Sequence, residues 1–165
     1  MIFATVGTHE DPFDRLLIEL DRLVLSGEIA DPVHIQTGYS QHIPVACTHA
    51  SMIPFDDVQD CMRRAAIVIT HGGPASIMQA LALGKVPIVV PRQSAFGEHV
   101  DDHQMRFAAR ISDRVLVVLD INELGAMLRS HAVRVERLGP NTGGPERASA
   151  FAHRLDALCA GLTRK

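Results

Sequence analysis

Tryptophan is absent from this chain and tyrosine occurs once. Aromatic platforms for stacking nucleobases are therefore scarce. A basic excess is missing too, since 16 lysines and arginines stand against 19 acidic residues, for a net charge of −3. Without a basic stripe no nucleic-acid partner is expected. Cysteine is sparse: Cys47, Cys61 and Cys159 are odd in number, far apart and never in a CxxC pair. That excludes a disulfide framework and a cysteine-based zinc site. No apolar run approaches the ~20 residues that cross a membrane. The start, Met1-Ile2-Phe3-Ala4-Thr5-Val6-Gly7, is too short and lacks the basic lead of a signal peptide. Two phosphate-binding fingerprints are also missing. The first glycine turn reads Gly7-Thr8-His9-Glu10 rather than GxGxxG, and no GxxxxGK[ST] occurs. A nicotinamide enzyme and a P-loop ATPase are thereby disfavoured.

What is present is a globular composition: 165 residues, 47% of them apolar. That is enough for one domain with a real core, spanning 1–165. Continuous apolar runs predict strands over 2–6, 33–37, 67–70, 87–90 and 115–119, with a weaker one over 45–48. Between them lie helical patterns. Phe13, Leu16, Leu17, Leu20, Leu23 and Val24 recur at three- and four-residue spacing, and Ser26-Gly27 closes that helix. Further helices are predicted over 55–64, 74–83, 99–110, 121–130 and about 146–160, with a glycine- and proline-rich loop over 139–145. Alternating strands and helices, with strands apolar throughout, predict a doubly wound, Rossmann-like parallel α/β sheet covered on both faces. Ligands on such sheets sit at the carboxyl ends of the strands, where Gly7-Thr8, Gly38 and Gly72-Gly73 would converge.

The segment Thr70-His71-Gly72-Gly73-Pro74-Ala75-Ser76 carries the clearest chemistry. Two glycines allow close backbone approach, and Pro74 suits the first position of a helix. The free amides and positive dipole end of that helix form an anion site, most simply a phosphate site. The same spacing also serves a plain strand-to-helix turn. Ser76 stands where its hydroxyl could touch a phosphate, and Gln79 lies one turn on. His9 is a candidate general base at the first strand end, although nine histidines are present. The polar stretch Arg92 to Gln104 follows another strand. Its Glu98, His99, Asp101, Asp102 and His103 do not form an HExxH motif, and adjacent residues on a helix diverge, so a metal cluster is disfavoured. A loop that grips hydroxyl groups is the preferred reading.

Residues 67–104 resemble the donor-binding half of GT-B glycosyltransferases in the family 28 C-terminal group. The resemblance rests on His71-Gly72-Gly73, Ser76, Gln79, Gly84-Lys85-Val86-Pro87, Pro91 and Asp102-His103-Gln104 in that order. The opening Thr5-Val6-Gly7-Thr8, followed by Phe13-Asp14-Arg15-Leu16, is similar to small single-domain members. Those are subunits that use a UDP-sugar, in lipid-linked chitobiose synthesis in eukaryotes and in exopolysaccharide biosynthesis in bacteria. The resemblance implies that His71, Gly72, Gly73 and Ser76 hold the donor diphosphate, and that Gly7 and Thr8 contact it or the incoming acceptor hydroxyl. Gln79 takes the place of a ribose-gripping Glu in many relatives, and Asp102 and Gln104 lie near the donor sugar. It implies no cofactor and no metal, since helix amides stabilise the leaving nucleotide. It also implies a separate membrane-associated, acceptor-binding glycosyltransferase subunit and a lipid-linked saccharide as partners. The chain itself is then cytoplasmic, at most peripheral on the inner membrane face through that partner. The expected activity is inverting transfer from a UDP-sugar. Gln in place of Glu at position 79 leaves a second reading open, a non-catalytic nucleotide-sugar-binding module.

Overall fold

The computed structural model describes residues 1–139. Six strands form one sheet: β1 (Ile2–Thr5), β2 (Val33–Gln36), β3 (Thr48–Ala50), β4 (Ile67–His71), β5 (Ile88–Val90) and β6 (Leu116–Val117). All neighbouring pairs are parallel, and the order is β3-β2-β1-β4-β5-β6. The chain starts in the middle, winds outward to one edge, returns and winds to the other. That is the doubly wound arrangement expected from the sequence. The point of reversal lies between β1 and β4, so the glycine-bearing ends of these two strands meet.

Helices cover both faces: α1 (Asp14–Leu25), α2 (Phe55–Arg64), α3 (Pro74–Ala82), α4 (His103–Arg110), α5 (Leu124–Arg129) and α6 (His131–Leu138). Alternation along β1 divides the core. Ile2, Ala4 and Val6 pack with Phe13, Leu16, Leu20 and Leu23 on the α1 side. Phe3 points the other way, onto Val58, Met62 and Ala80 from α2 and α3. A third cluster joins Ile77 and Leu81 to Val89 and Ala108. Among the described residues no helix is long and apolar enough to cross a membrane.

Three expectations are corrected. The weak strand expected over 45–48 lies instead at Thr48–Ala50. Its predicted first residues are engaged by α1: the Asp21 carboxylate accepts from Val45 N at 2.9 Å and Ala46 N at 3.1 Å, and contacts His42 Nε2 at 2.9 Å. Burial pushes that carboxyl's pKa up, but these bonds outweigh it and hold the pKa below the usual value. The helix expected over 99–110 starts only at His103, after a short 3₁₀ turn at Ser94–Phe96. Here the carboxylates of Glu98, Asp101 and Asp102 accept from the amides of Gln93, His103 and Ser94, and so favour a loop over a helix. The helix expected over 121–130 divides into a 3₁₀ turn at Ile121–Glu123 and α5. An unforeseen helix, α6, follows it. Ser130, at the junction, donates its hydroxyl back to Ala126 O at 2.8 Å, a bond that bends helices. The helix expected over 146–160 lies outside the described residues, as does most of the loop before it.

Candidate functional site

A cleft of about 400 Å³ opens at the carboxyl ends of β1, β2 and β4. Its floor is built before its walls. Thr5 and Gln36 are register partners across β1 and β2, and their buried side chains bond, with Thr5 Oγ1 donating to Gln36 Oε1 at 2.7 Å. The same hydroxyl accepts from Gly7 N at 3.1 Å, which fixes the turn where β1 ends. Gly7 has φ +76°, a conformation that favours glycine. A glycine is required there for space as well, because a Cβ would sit 2.5 Å from the His71 ring.

His71 ends β4 and projects into this space. Its ring lies between Gly7 and Gly73, and a Cβ on Gly73 would fall 2.2 Å from Nε2. Burial drives the His71 pKa down to about 4, the nearby Arg92 guanidinium adds to the shift, and the Thr5 main chain only partly opposes it. The ring is therefore neutral at physiological pH. Its Nδ1 is buried with no hydrogen-bond partner of ordinary geometry. Gly72 serves packing: a Cβ there would meet Gln104 Cβ at 2.6 Å and Pro91 Cβ at 3.0 Å.

Beyond the glycines, α3 begins with Pro74 at its first position and no side chain caps it. The amides of Ala75 and Ser76 belong to the first turn, where a helix has no internal acceptor to offer. Ala75, Ser76 and Gln79 all line the cleft. The Gln79 Nε2 is buried without a partner, a donor aimed at a space where a ligand oxygen could satisfy it. Ile53, Phe55 and Val58 supply an apolar wall, with the Phe55 ring largely exposed at the mouth. The combination is a neutral imidazole, open helix-start amides, a hydroxyl, an amide and an apolar wall. It suits an anionic group joined to a flat or apolar one.

The cleft thus gathers Gly7, Thr8, His71, Ser76 and Gln79, with Gly73 behind the His71 ring. His9 is not part of its lining. Its ring sits instead at a tilt against that of His99, with centroids 4.5 Å apart. Asp102 and Gln104 also stand outside. Asp102 Oδ1 accepts from Ser94 N at 2.8 Å and Ser94 Oγ at 2.9 Å, which lowers its pKa. Gln104 is buried and its Oε1 accepts from Arg92 N at 3.1 Å.

Arg92 is the residue that sequence reasoning passed over. It is fully buried. Nη1 donates to the carbonyls of Asp11, Pro12 and Glu98, Nη2 donates to Val6 O at 3.0 Å, and the guanidinium lies 4.9 Å from the centre of the Phe13 ring. It ties the loop after β1 to the loop after β5. Beside it, Glu98 accepts from Arg15 at 2.8 and 2.9 Å and from Gln93 N at 3.0 Å. The sequence signal was slight: one arginine directly after an apolar strand and Pro91. Gln36 was equally quiet, a lone polar residue ending an apolar run.

Residues 1–133 match the family described as the glycosyltransferase family 28 C-terminal domain. The chain belongs to that family. A 72-residue stretch is 35% identical to the UDP-N-acetylglucosamine transferase subunit ALG13 of Yarrowia lipolytica, covering 42% of this chain and 35% of that protein. Among solved structures, the calicheamicin glycosyltransferase CalG4 superposes with a TM-score of 0.62 at 17% identity, over 99% of this chain and 42% of that one. SnogD from Streptomyces nogalater gives a TM-score of 0.52 at 20% identity, over 95% of this chain and 43% of that one. The fold is thus that of a GT-B half, and the chain spans less than half the length of each of these proteins.

Proposed function

We propose that this chain is the donor-binding, catalytic part of an inverting glycosyltransferase. It takes a UDP-sugar and passes the sugar to a lipid-linked or polysaccharide acceptor held by a separate, membrane-associated subunit. The observation that carries this reading is the uncapped start of α3 facing His71 and Gln79 in one cleft. A diphosphate there would accept from the Ala75 and Ser76 amides and the Ser76 hydroxyl. Neutral His71 would donate a ring N–H without adding a buried charge. The ribose would satisfy the orphaned Gln79 amide, and the uracil would lie along Phe55 and Ile53.

The chemistry follows from that placement. The acceptor hydroxyl attacks the anomeric carbon from the face opposite the leaving diphosphate, so configuration inverts. The bond from that carbon to the diphosphate oxygen breaks, and negative charge grows on the oxygen. Helix-start amides aimed at it stabilise the charge where it develops. No cofactor is required, and no metal at the diphosphate. His9, outside the cleft but beside it, or a group of the partner, takes the acceptor proton. The partner is inferred from the likeness to ALG13 of Yarrowia lipolytica, a protein named as a transferase subunit.

The test is two titrations and one assay. UDP should bind the full chain with one site per chain. Labelled sugar should move to a lipid acceptor only when chain and partner are co-expressed. Absence of UDP binding with and without the partner refutes the proposal. Binding without transfer selects a non-catalytic nucleotide-sugar-binding module, a reading that an amide rather than a carboxylate at Gln79 favours.

A further inference from the structure

The loop between β5 and α4, together with the first residue of α4, carries a cluster outside the lining of the cleft. His99, Asp101 and His103 each offer one donor atom, and these atoms all lie within 4.8 Å of one another. A helix over 99–110 would keep His99 and His103 on one face but turn Asp101 away from them. Because α4 begins only at His103, the segment before it turns and brings the three together. The rings of His99 and His103 meet edge to face with centroids 4.5 Å apart. His103 Nδ1 lies 2.6 Å from Asp101 Oδ1.

We infer that His99, Asp101 and His103 form a binding site for a divalent transition-metal ion of the zinc class. Two imidazoles and one carboxylate are a ligand set that zinc, nickel and cobalt accept, with further positions left to water or a ligand oxygen. An exposed carboxylate in the cluster favours a cation over an anion. Access is open, since the side chains of His103 and Asp101 are 44% and 50% exposed. Metal–nitrogen bonds of about 2.0–2.1 Å in a tetrahedron place ligand atoms about 3.3 Å apart, so the loop closes slightly around the ion. Val100 N donates to His99 Nδ1 at 2.9 Å. Ligation through Nε2 moves the ring proton to Nδ1 and gives up that exposed contact. The carboxylate is already oriented, because it accepts from His103 N at 2.9 Å and lies 3.4 Å from Arg106 Nη2. The ion would staple the loop to the start of α4. None of the three ligands lines the donor cleft, although His99 touches His9.

Zinc sulfate titrated into the full chain by calorimetry tests this, with cobalt chloride as a spectroscopic probe. The expected result is one ion per chain and visible cobalt bands of a four- or five-coordinate site. His99→Ala, His103→Ala and Asp101→Asn should each weaken binding at least about tenfold. His49→Ala, on β3, should leave it unchanged. An unmodified chain that binds no zinc, or three variants that bind like the unmodified chain, overturns the inference. UDP titrated in the presence of a chelator separates the two claims. UDP binding without zinc binding sinks only the metal site, and zinc binding without UDP binding sinks only the donor cleft.

Discussion

A Cβ on Gly73 would lie 2.2 Å from Nε2 of His71. The ring is thus held where only glycine can stand behind it. Gly73→Ala should push the imidazole out of place, weaken UDP binding at least about tenfold, and destabilise the fold by about 1–3 kcal/mol through overpacking. Calorimetry with UDP and urea unfolding check the two effects separately. Unchanged affinity would mean that the ring does not face the nucleotide.

His71 also makes a signed prediction for pH. Its folded pKa is about 4, below the ordinary 6.5, so the unfolded chain binds the proton more readily. Stability from this group is complete above the ordinary value and is lost as pH falls from there toward 4. The loss reaches up to about 3 kcal/mol for a shift of this size. Urea unfolding at several pH values should show this slope in the unmodified chain and a flatter one in His71→Gln. Parallel slopes would contradict the burial argument.

Thr5 and Gln36 satisfy one another inside the sheet, and Thr5 also holds the Gly7 amide. Thr5→Val should cost about 1–3 kcal/mol by leaving buried partners unmet. Adding Gln36→Leu removes one orphan, so the double variant should be more stable than the sum of the two single changes. Strict additivity in a double-mutant cycle would argue against the bond.

Arg92 donates to four carbonyls from three segments of chain. Lysine cannot reproduce that fork. Arg92→Lys should therefore lower the urea midpoint almost as far as Arg92→Met, with a loss of at least about 1–3 kcal/mol from buried carbonyls left without a donor. A lysine variant of near-normal midpoint would show that charge alone suffices.

The parts of the fold legible in the sequence are those fixed by apolar period and punctuation. The Leu16, Leu20, Leu23 stripe, the Gly7 turn and the Gly72-Gly73-Pro74 start of α3 all declare themselves locally. What was illegible depends on contacts distant in sequence. Asp21 takes the amides of Val45 and Ala46, and so shifts β3 toward Thr48. Asp102 turns to Ser94, and so delays α4 to His103. The candidate site divides the same way. Glycines and Ser76 could be read from spacing, whereas Arg92, Gln36 and the inward position of Gln104 depend on partners distant in sequence.

The central claim is that the start of α3 cradles a nucleoside diphosphate, and amide-resolved NMR with UDP tests it most directly. Saturable shifts should be largest at the amides of Gly73, Ala75 and Ser76, with the Gln79 side-chain amide moving alongside them. Saturation with the largest shifts elsewhere, or no saturation at all at millimolar UDP, would contradict it.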